Sequence, residues 1–185
     1  EVMVPSLTFV ASVNAIKYNQ AEPIFLDNDN NYTLDIDKIF EFLKNETISK
    51  IIFTSKGKVR ITINKKTKKR IKALMIVHTF GNAVNIEKII KICKEKNISI
   101  VEDAAESLGT FYNSGKYKNR HTGTVGLIGC LSFNGNKIIT AGGGGMILTN
   151  DSKIASKARY LISQAKNDSL FYVHDEIGYN YRLNN

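Results

Sequence analysis

Short runs of Val, Ile, Leu and Met recur along this chain, each too brief to be a helix, and helix-length stretches with a 3.6-residue apolar period lie between them. Val2–Pro5, Glu22–Asp27, Lys50–Thr54, Ala73–Val77, Ile98–Asp103, Ile128–Phe133 and Met146–Thr149 read as strands. A helical pattern runs from Ser6 to about Asn19–Gln20. Asp35–Lys44 places Ile36, Ile39, Phe40 and Leu43 on one helical face, and Asn85–Glu95 does the same with Ile86, Ile89, Ile90 and Cys93. Asp151–Lys166 is a further helix, with Ile154, Ala158, Leu161, Ile162 and Ala165 inward and Asp151 as its cap or first-turn acid. Strands that alternate with helices are joined by crossovers and not by tight hairpins, so the pattern predicts an α/β fold with a mostly parallel sheet flanked by helices. Around the basic segment two arrangements stay open. Val59–Ile63 and Arg70–Ile76 pair as a hairpin, or the segment is an exposed excursion.

Composition narrows the function. The 185 residues are enough for one domain with a real core, and 43% hydrophobic with 23% charged residues is ordinary for a soluble protein. No apolar run approaches the roughly 20 residues needed to span a bilayer, and the opening Glu1-Val-Met-Val-Pro5 has no signal pattern. Cys93 and Cys130 lack CxxC spacing and read as reduced, buried thiols of a cytoplasmic protein; His78, His121 and His174 lack metal-ligand spacing. The net charge of +9 is concentrated in Lys56–Lys72, where no aromatic residue is interleaved and no nucleic-acid-binding motif accompanies it. Lys65, Lys66, Lys68, Lys69 and Arg70 would nevertheless suit a salt-sensitive polyanion-binding module, the non-enzymatic alternative.

Two segments carry chemistry. In the first, the strand Ile128–Phe133 runs into Asn134-Gly-Asn136, which delivers Lys137 ahead of the glycine tract Gly142–Gly145. An amine at a strand end, five residues after Ser132, suits a covalent imine to a phosphorylated aldehyde, with Ser132 holding the phosphate. In the second, Glu102-Asp-Ala-Ala-Glu-Ser-Leu-Gly109, Asp103 ends a strand where parallel sheets bind ligands. A carboxylate there can pair with the pyridinium nitrogen of pyridoxal 5'-phosphate and keep it protonated. The glycine tract leads into a strand, not a helix, which argues against a dinucleotide loop. Residues 104–127 form a long, glycine-punctuated connection of the kind that is functional when ordered.

Together with Pro5–Ser12, His78–Gly81, Ser132–Lys137, Gly142–Gly145 and Gly178–Arg182, these segments make nearly the whole chain resemble the DegT/DnrJ/StrS pyridoxal phosphate-dependent nucleotide-sugar aminotransferases. Among these, His174–Arg182 and Ser132–Lys137 look most like the branch feeding legionaminic acid-type sugars. The resemblance implies the large domain of the type I aminotransferase fold and pyridoxal 5'-phosphate as cofactor. It implies glutamate as amino donor and C4 of a nucleotide-linked 4-keto-6-deoxy sugar as acceptor, in surface polysaccharide or nonulosonic acid synthesis. In its terms Lys137 forms the imine and moves the proton, Asp103 pairs with the ring nitrogen, Phe9 stacks on the ring, and Ser132 binds the phosphate. Glu106 stands near the ring hydroxyl where many relatives carry Gln or His. Asn180 reaches the cofactor phosphate of a neighbouring subunit, which implies a homodimer with shared sites. His78 lies at a strand end beside the expected site, as a ligand contact or a structural hydrogen-bonding residue. Sugar dehydratases of the same fold replace the lysine with histidine, so Lys137 argues for transamination. Residues 1–185 are then the cofactor-binding large domain, incomplete at both ends, with a glycine–threonine phosphate segment expected before it and a small domain after it.

Overall fold

The computed structural model describes residues 1–55, 57–168 and 170–183. Six strands make the central sheet: β1 (Val2–Pro5), β2 (Pro23–Leu26), β6 (Ala73–Val77), β7 (Ser99–Asp103), β8 (Ile128–Ser132) and β9 (Gly145–Leu148), in the order β2-β1-β6-β7-β8-β9. All neighbours are parallel except β8 and β9, which run antiparallel. Three further strands, β3 (Thr47–Thr54), β4 (Gly57–Asn64) and β5 (Arg70–Ile71), form a separate antiparallel sheet. The helices are α1 (Val10–Tyr18), α2 (Ile36–Asn45), α3 (Ile86–Lys96) and α4 (Ser152–Ile162). None of them is long and apolar enough to cross a membrane among the described residues.

The α/β architecture with a mostly parallel sheet is the one the alternating pattern predicts. Local chemistry explains the boundaries. Asp35 caps α2 by accepting from the Asp37 and Lys38 N–H groups, and Asp151 caps α4 through Lys153 and Ile154. Asn97 ends α3 in the left-handed conformation that Asn tolerates. One core holds the two layers together. Met3, Leu74 and Ile76 from the sheet meet Ile39 and Leu43 of α2 and Ile86 and Ile89 of α3, all essentially fully buried. Each such side chain stabilises the fold by roughly 1.5–3 kcal/mol.

The structure departs from the sequence reading in three places. First, β4 pairs over its whole length with β3, and only Arg70 and Ile71 close the far side of the hairpin; Ala73–Val77 belongs to the central sheet. Second, α1 begins at Val10, because Phe9 is extended and serves as its N-cap. Third, α4 stops at Ile162 and buries no residue. Gln164 and Ala165 follow at φ of 67° and 50°, so the backbone turns away before Ala165, which is buried outside the helix. Lys56 of the basic segment, and Asn184 and Asn185 of the tail, lie outside the described residues.

The register at β8 has no room for a side chain at Gly129. A Cβ there would sit 1.8 Å from the Gly123 carbonyl oxygen, a backbone atom. Gly129→Ala is therefore expected to cost at least about 3 kcal/mol, the upper range for overpacking, read as a lowered urea midpoint.

Candidate active site

The candidate site residues follow the C-terminal ends of parallel strands. Phe9 and Ser12 come after β1, His78 and Phe80 after β6, Asp103 and Glu106 at and after β7, and Ser132 and Lys137 at and after β8. This edge is where the strands of an open α/β sheet present ligand-binding groups.

The loop after β8 folds back on itself. Lys137 N–H donates to the Asn134 carbonyl (3.0 Å), Ala141 N–H to the Phe133 carbonyl (3.0 Å), and Phe133 N–H to the Gly144 carbonyl (3.0 Å). Gly145 lies so close to β8 that a Cβ would meet the Leu131 carbonyl oxygen at 2.6 Å, whereas Gly142 and Gly143 face open space. The folded loop holds the Lys137 side chain largely out of solvent, with Nζ 3.8 Å from Glu106 Oε1. Glu106 is pinned from the other side by Phe80 N–H, which donates to Oε2 (2.9 Å). That contact brings the lysine of one motif to the acid of the other. Phe80 itself stands at φ 54°, a conformation rare for an aromatic residue, and is exposed.

Asp103 has both oxygens engaged. Ser12 Oγ–H donates to Oδ2 (2.6 Å) and Ala105 N–H to Oδ1 (3.1 Å). Ser132 Oγ accepts from Asn134 N–H (3.3 Å). Phe9 leaves 77% of its surface open, so its ring face is available. Asn180 is exposed. It bridges to Ser163 through the backbone, and its side-chain oxygen accepts from Arg182 Nε (3.3 Å). Both thiols have raised pKa values. Burial pushes Cys93 up to about 12, and burial followed by the Asp103 charge pushes Cys130 up to about 11.

Glu102, one residue before Asp103, is fully buried. His78 Nε2, Tyr112 Oη and Gly123 N–H donate to its Oε2 at 3.0, 3.0 and 2.9 Å. Val125 N–H (2.8 Å) and Gly126 N–H donate to Oε1. Val84 N–H points at His78 Nδ1 (3.4 Å), which makes Nδ1 the acceptor and Nε2–H the donor. His78 is thus a structural hydrogen-bonding residue here. Burial by itself raises the Glu102 carboxyl, but the His78 bond and the Gly126 and Gly123 N–H groups outweigh it and hold the group down at about 2. Burial, and then the Glu102 charge, drive the Tyr112 hydroxyl far above the usual tyrosine range. Glu102 and Ser12 lie in segments that stand out in the sequence, where residue type alone gives neither a role. For Glu102 a signal existed: Ile100 and Glu102 share the buried face of β7.

Residues 1–185 match the DegT/DnrJ/EryC1/StrS aminotransferase family. The chain belongs to this family. It is 38% identical over 186 residues to a GDP-perosamine synthase of Escherichia coli O157:H7, and the match covers 100% of this chain and 43% of that protein. A crystal structure of a DegT/DnrJ/EryC1/StrS aminotransferase from Brucella abortus superposes with a TM-score of 0.78 at 28% identity, covering 98% of this chain and 43% of that one. Helicobacter pylori PseC, an aminotransferase involved in pseudoaminic acid biosynthesis, gives 0.76 at 26% identity, covering 98% of this chain and 42% of PseC. The chain thus spans about two fifths of the length of these family members.

The family's strand-end edge rests, in this chain, on the Glu102 carboxylate. Its folded value lies below the ordinary 4.5, so its contribution is complete above about pH 4.5 and is lost as pH falls through about 2. Glu102→Gln would turn an amide NH2 toward backbone N–H donors. It is expected to lower stability by about 3 kcal/mol at pH 7, with the gap to wild type closing between pH 4.5 and 2 in urea titrations.

Proposed function

We propose that the full-length protein is a pyridoxal 5'-phosphate-dependent aminotransferase that moves an amino group from glutamate to C4 of a nucleotide-linked 4-keto-6-deoxy sugar. The observation that carries this reading is the sheltered Lys137 amine, 3.8 Å from Glu106 on the loop that follows Asp103. The donor set suits the cofactor. An amine, an anchored carboxylate, an open aromatic face and a strand-end hydroxyl are the four groups a phosphorylated pyridine aldehyde calls for. When bound, the cofactor supplies a ring that absorbs the electrons of the reacting carbon.

The chain's own residues do the rest. Lys137 Nζ, near one carboxylate and shielded from bulk water, holds and moves the proton at the substrate carbon. Asp103 receives the ring N–H, and with Ser12 and Ala105 already bound to it the carboxylate meets that N–H in a set orientation. Phe9 covers a ring face and the Ser132 hydroxyl binds the phosphate. An ionised Glu106 can accept a hydrogen bond but not donate one, so it serves the amine better than it serves a ring oxygen that needs a donor. Asn180, exposed near the end of the described chain, serves the phosphate site of a second subunit in a homodimer.

Nucleotide-sugar chemistry in the GDP-perosamine synthase and the pseudoaminic acid pathway in PseC support the substrate class. Within that class we favour the legionaminic acid-type branch, on the segments His174–Arg182 and Ser132–Lys137, and a cytoplasmic site of action. Residues 1–185 act in this reading as the cofactor-binding large domain, completed by segments beyond both ends.

The test is an absorbance titration of the full-length protein with pyridoxal 5'-phosphate, beside Lys137→Ala. A visible band in the wild type that changes on adding glutamate and is missing in the variant supports the reading; a wild type without any band sinks it. Turnover of Lys137→Ala is expected to fall at least about 10²–10⁴-fold, the usual worth of a positioned proton-transfer group.

A further inference from the structure

We infer that Ser12 is a positioning residue for Asp103, fixing the carboxylate relative to the turn that carries Phe9. The inference rests on the cofactor reading above and adds to it a residue with no assigned role. Ser12 is 4% exposed on the first turns of α1, 91 residues from Asp103 in sequence, yet its hydroxyl donates to Asp103 Oδ2 at 2.6 Å. That length is typical of an O–H donor on an ionised carboxylate, the stronger kind of hydrogen bond. The donor is itself oriented. Thr8 Oγ1–H donates to Ser12 Oγ at 3.0 Å, which occupies a lone pair of the serine oxygen and directs its single proton to Asp103.

A carboxylate at a strand end rotates freely unless both oxygens are held. Here Ala105 N–H takes Oδ1 and Ser12 takes Oδ2, so donors from two different segments set its plane. Among the described residues, only the Ser12 donor links the carboxylate to another element. Ser12 N–H also donates to the Phe9 carbonyl (3.2 Å), so the residue that holds the carboxylate is bonded to the residue that offers the ring face. Ser12 thereby links, through its hydroxyl and its backbone N–H, the two places where a flat heteroaromatic ring would be gripped, at its edge and on its face. A buried helical serine could also be a mere filler of its hydrogen bond, and the two roles differ in one measurable respect. A filler changes stability alone, whereas a positioning residue changes cofactor affinity only while Asp103 is present.

The experiment is a double-mutant cycle on the full-length protein, with the dissociation constant for pyridoxal 5'-phosphate measured by absorbance and fluorescence titration, and melting curves taken without cofactor. Ser12→Ala is expected to raise the constant about ten-fold, the worth of one hydrogen bond to a charged group. Ser12→Thr, which keeps the hydroxyl, stays within about three-fold of wild type, and Ser12→Ala placed on Asp103→Asn adds nothing further. If Ser12→Ala does not fold, Ser12→Cys takes its place in the same cycle. An unaltered constant in Ser12→Ala, or the same loss in both Asp103 backgrounds, overturns the inference while leaving the cofactor reading intact. A wild type that binds no cofactor sinks the functional reading and this inference with it.

Discussion

Everything at the strand-end edge leans on the buried carboxylate of Glu102. An isolated charge in that place would be prohibitive, and an ionised group survives there only because five donors from three segments converge on it. His78 reaches it from the end of β6, Tyr112 from the middle of the following loop, and Gly123, Val125 and Gly126 from the approach to β8. Residues 104–127 have almost no regular structure of their own, and these bonds tie that long connection to the sheet while bonds such as Ser107–Thr122 and Tyr112–Arg120 close it on itself. Its shape in turn places Glu106 beside Lys137. The strand period of two completes the arrangement. Adjacent carboxylates at one strand end point to opposite faces, Glu102 into the core and Asp103 toward the Ser12 hydroxyl.

The sheet order adds a second constraint. Strand β1 lies between β2, which follows it through α1, and β6, which follows far along the chain. The connection leaving β1 runs to β2 on one side and the connection leaving the neighbouring β6 runs to β7 on the other, and such a reversal opens a crevice at the C-terminal edge. The crevice gathers residues that are distant in sequence: Ser12 meets Asp103, and Phe80 meets Glu106. The Glu106–Lys137 contact is partly exposed and long, and it contributes little to stability. Its consequence is positional, since it fixes where an otherwise flexible four-carbon side chain ends.

Much of this was legible in the sequence, for identifiable reasons. The parallel strands announce themselves because burial on both faces demands continuous apolar runs such as Ala73–Val77. The helices α2 and α3 show their inward faces directly, and Ile39, Leu43, Ile86 and Ile89 are buried as the periodicity predicts. The β3–β4 hairpin was harder to read. Most of β3 is exposed, so its residues carry no alternation that burial would enforce, and the pairing partner could not be read from pattern. The end of α4 was obscured for a similar reason: no residue of that helix is buried, and the turn at Gln164 and Ala165 uses residue types that give no stop signal. Lys137 and Asp103 stood out only together, because a lone turn lysine or a lone strand-end aspartate is ordinary whereas the two segments with a glycine tract are not. Ser12 did not, because a serine becomes informative only through a partner 91 residues away.

Glu106 is held between two partners of different kinds. An ionised glutamate only accepts. Here one oxygen takes the Phe80 N–H, which leaves the other directed to the Lys137 amine. Phe80 supplies that N–H from a left-handed backbone at a 3-10 turn, a conformation that costs of order 1 kcal/mol or more for a non-glycine residue. The carboxylate bond offsets part of that cost, so the strained turn and the acid support each other. Replacing Glu106 by a neutral residue would thus alter two things together, the electrostatic partner of the lysine and the conformation of the exposed aromatic at the rim.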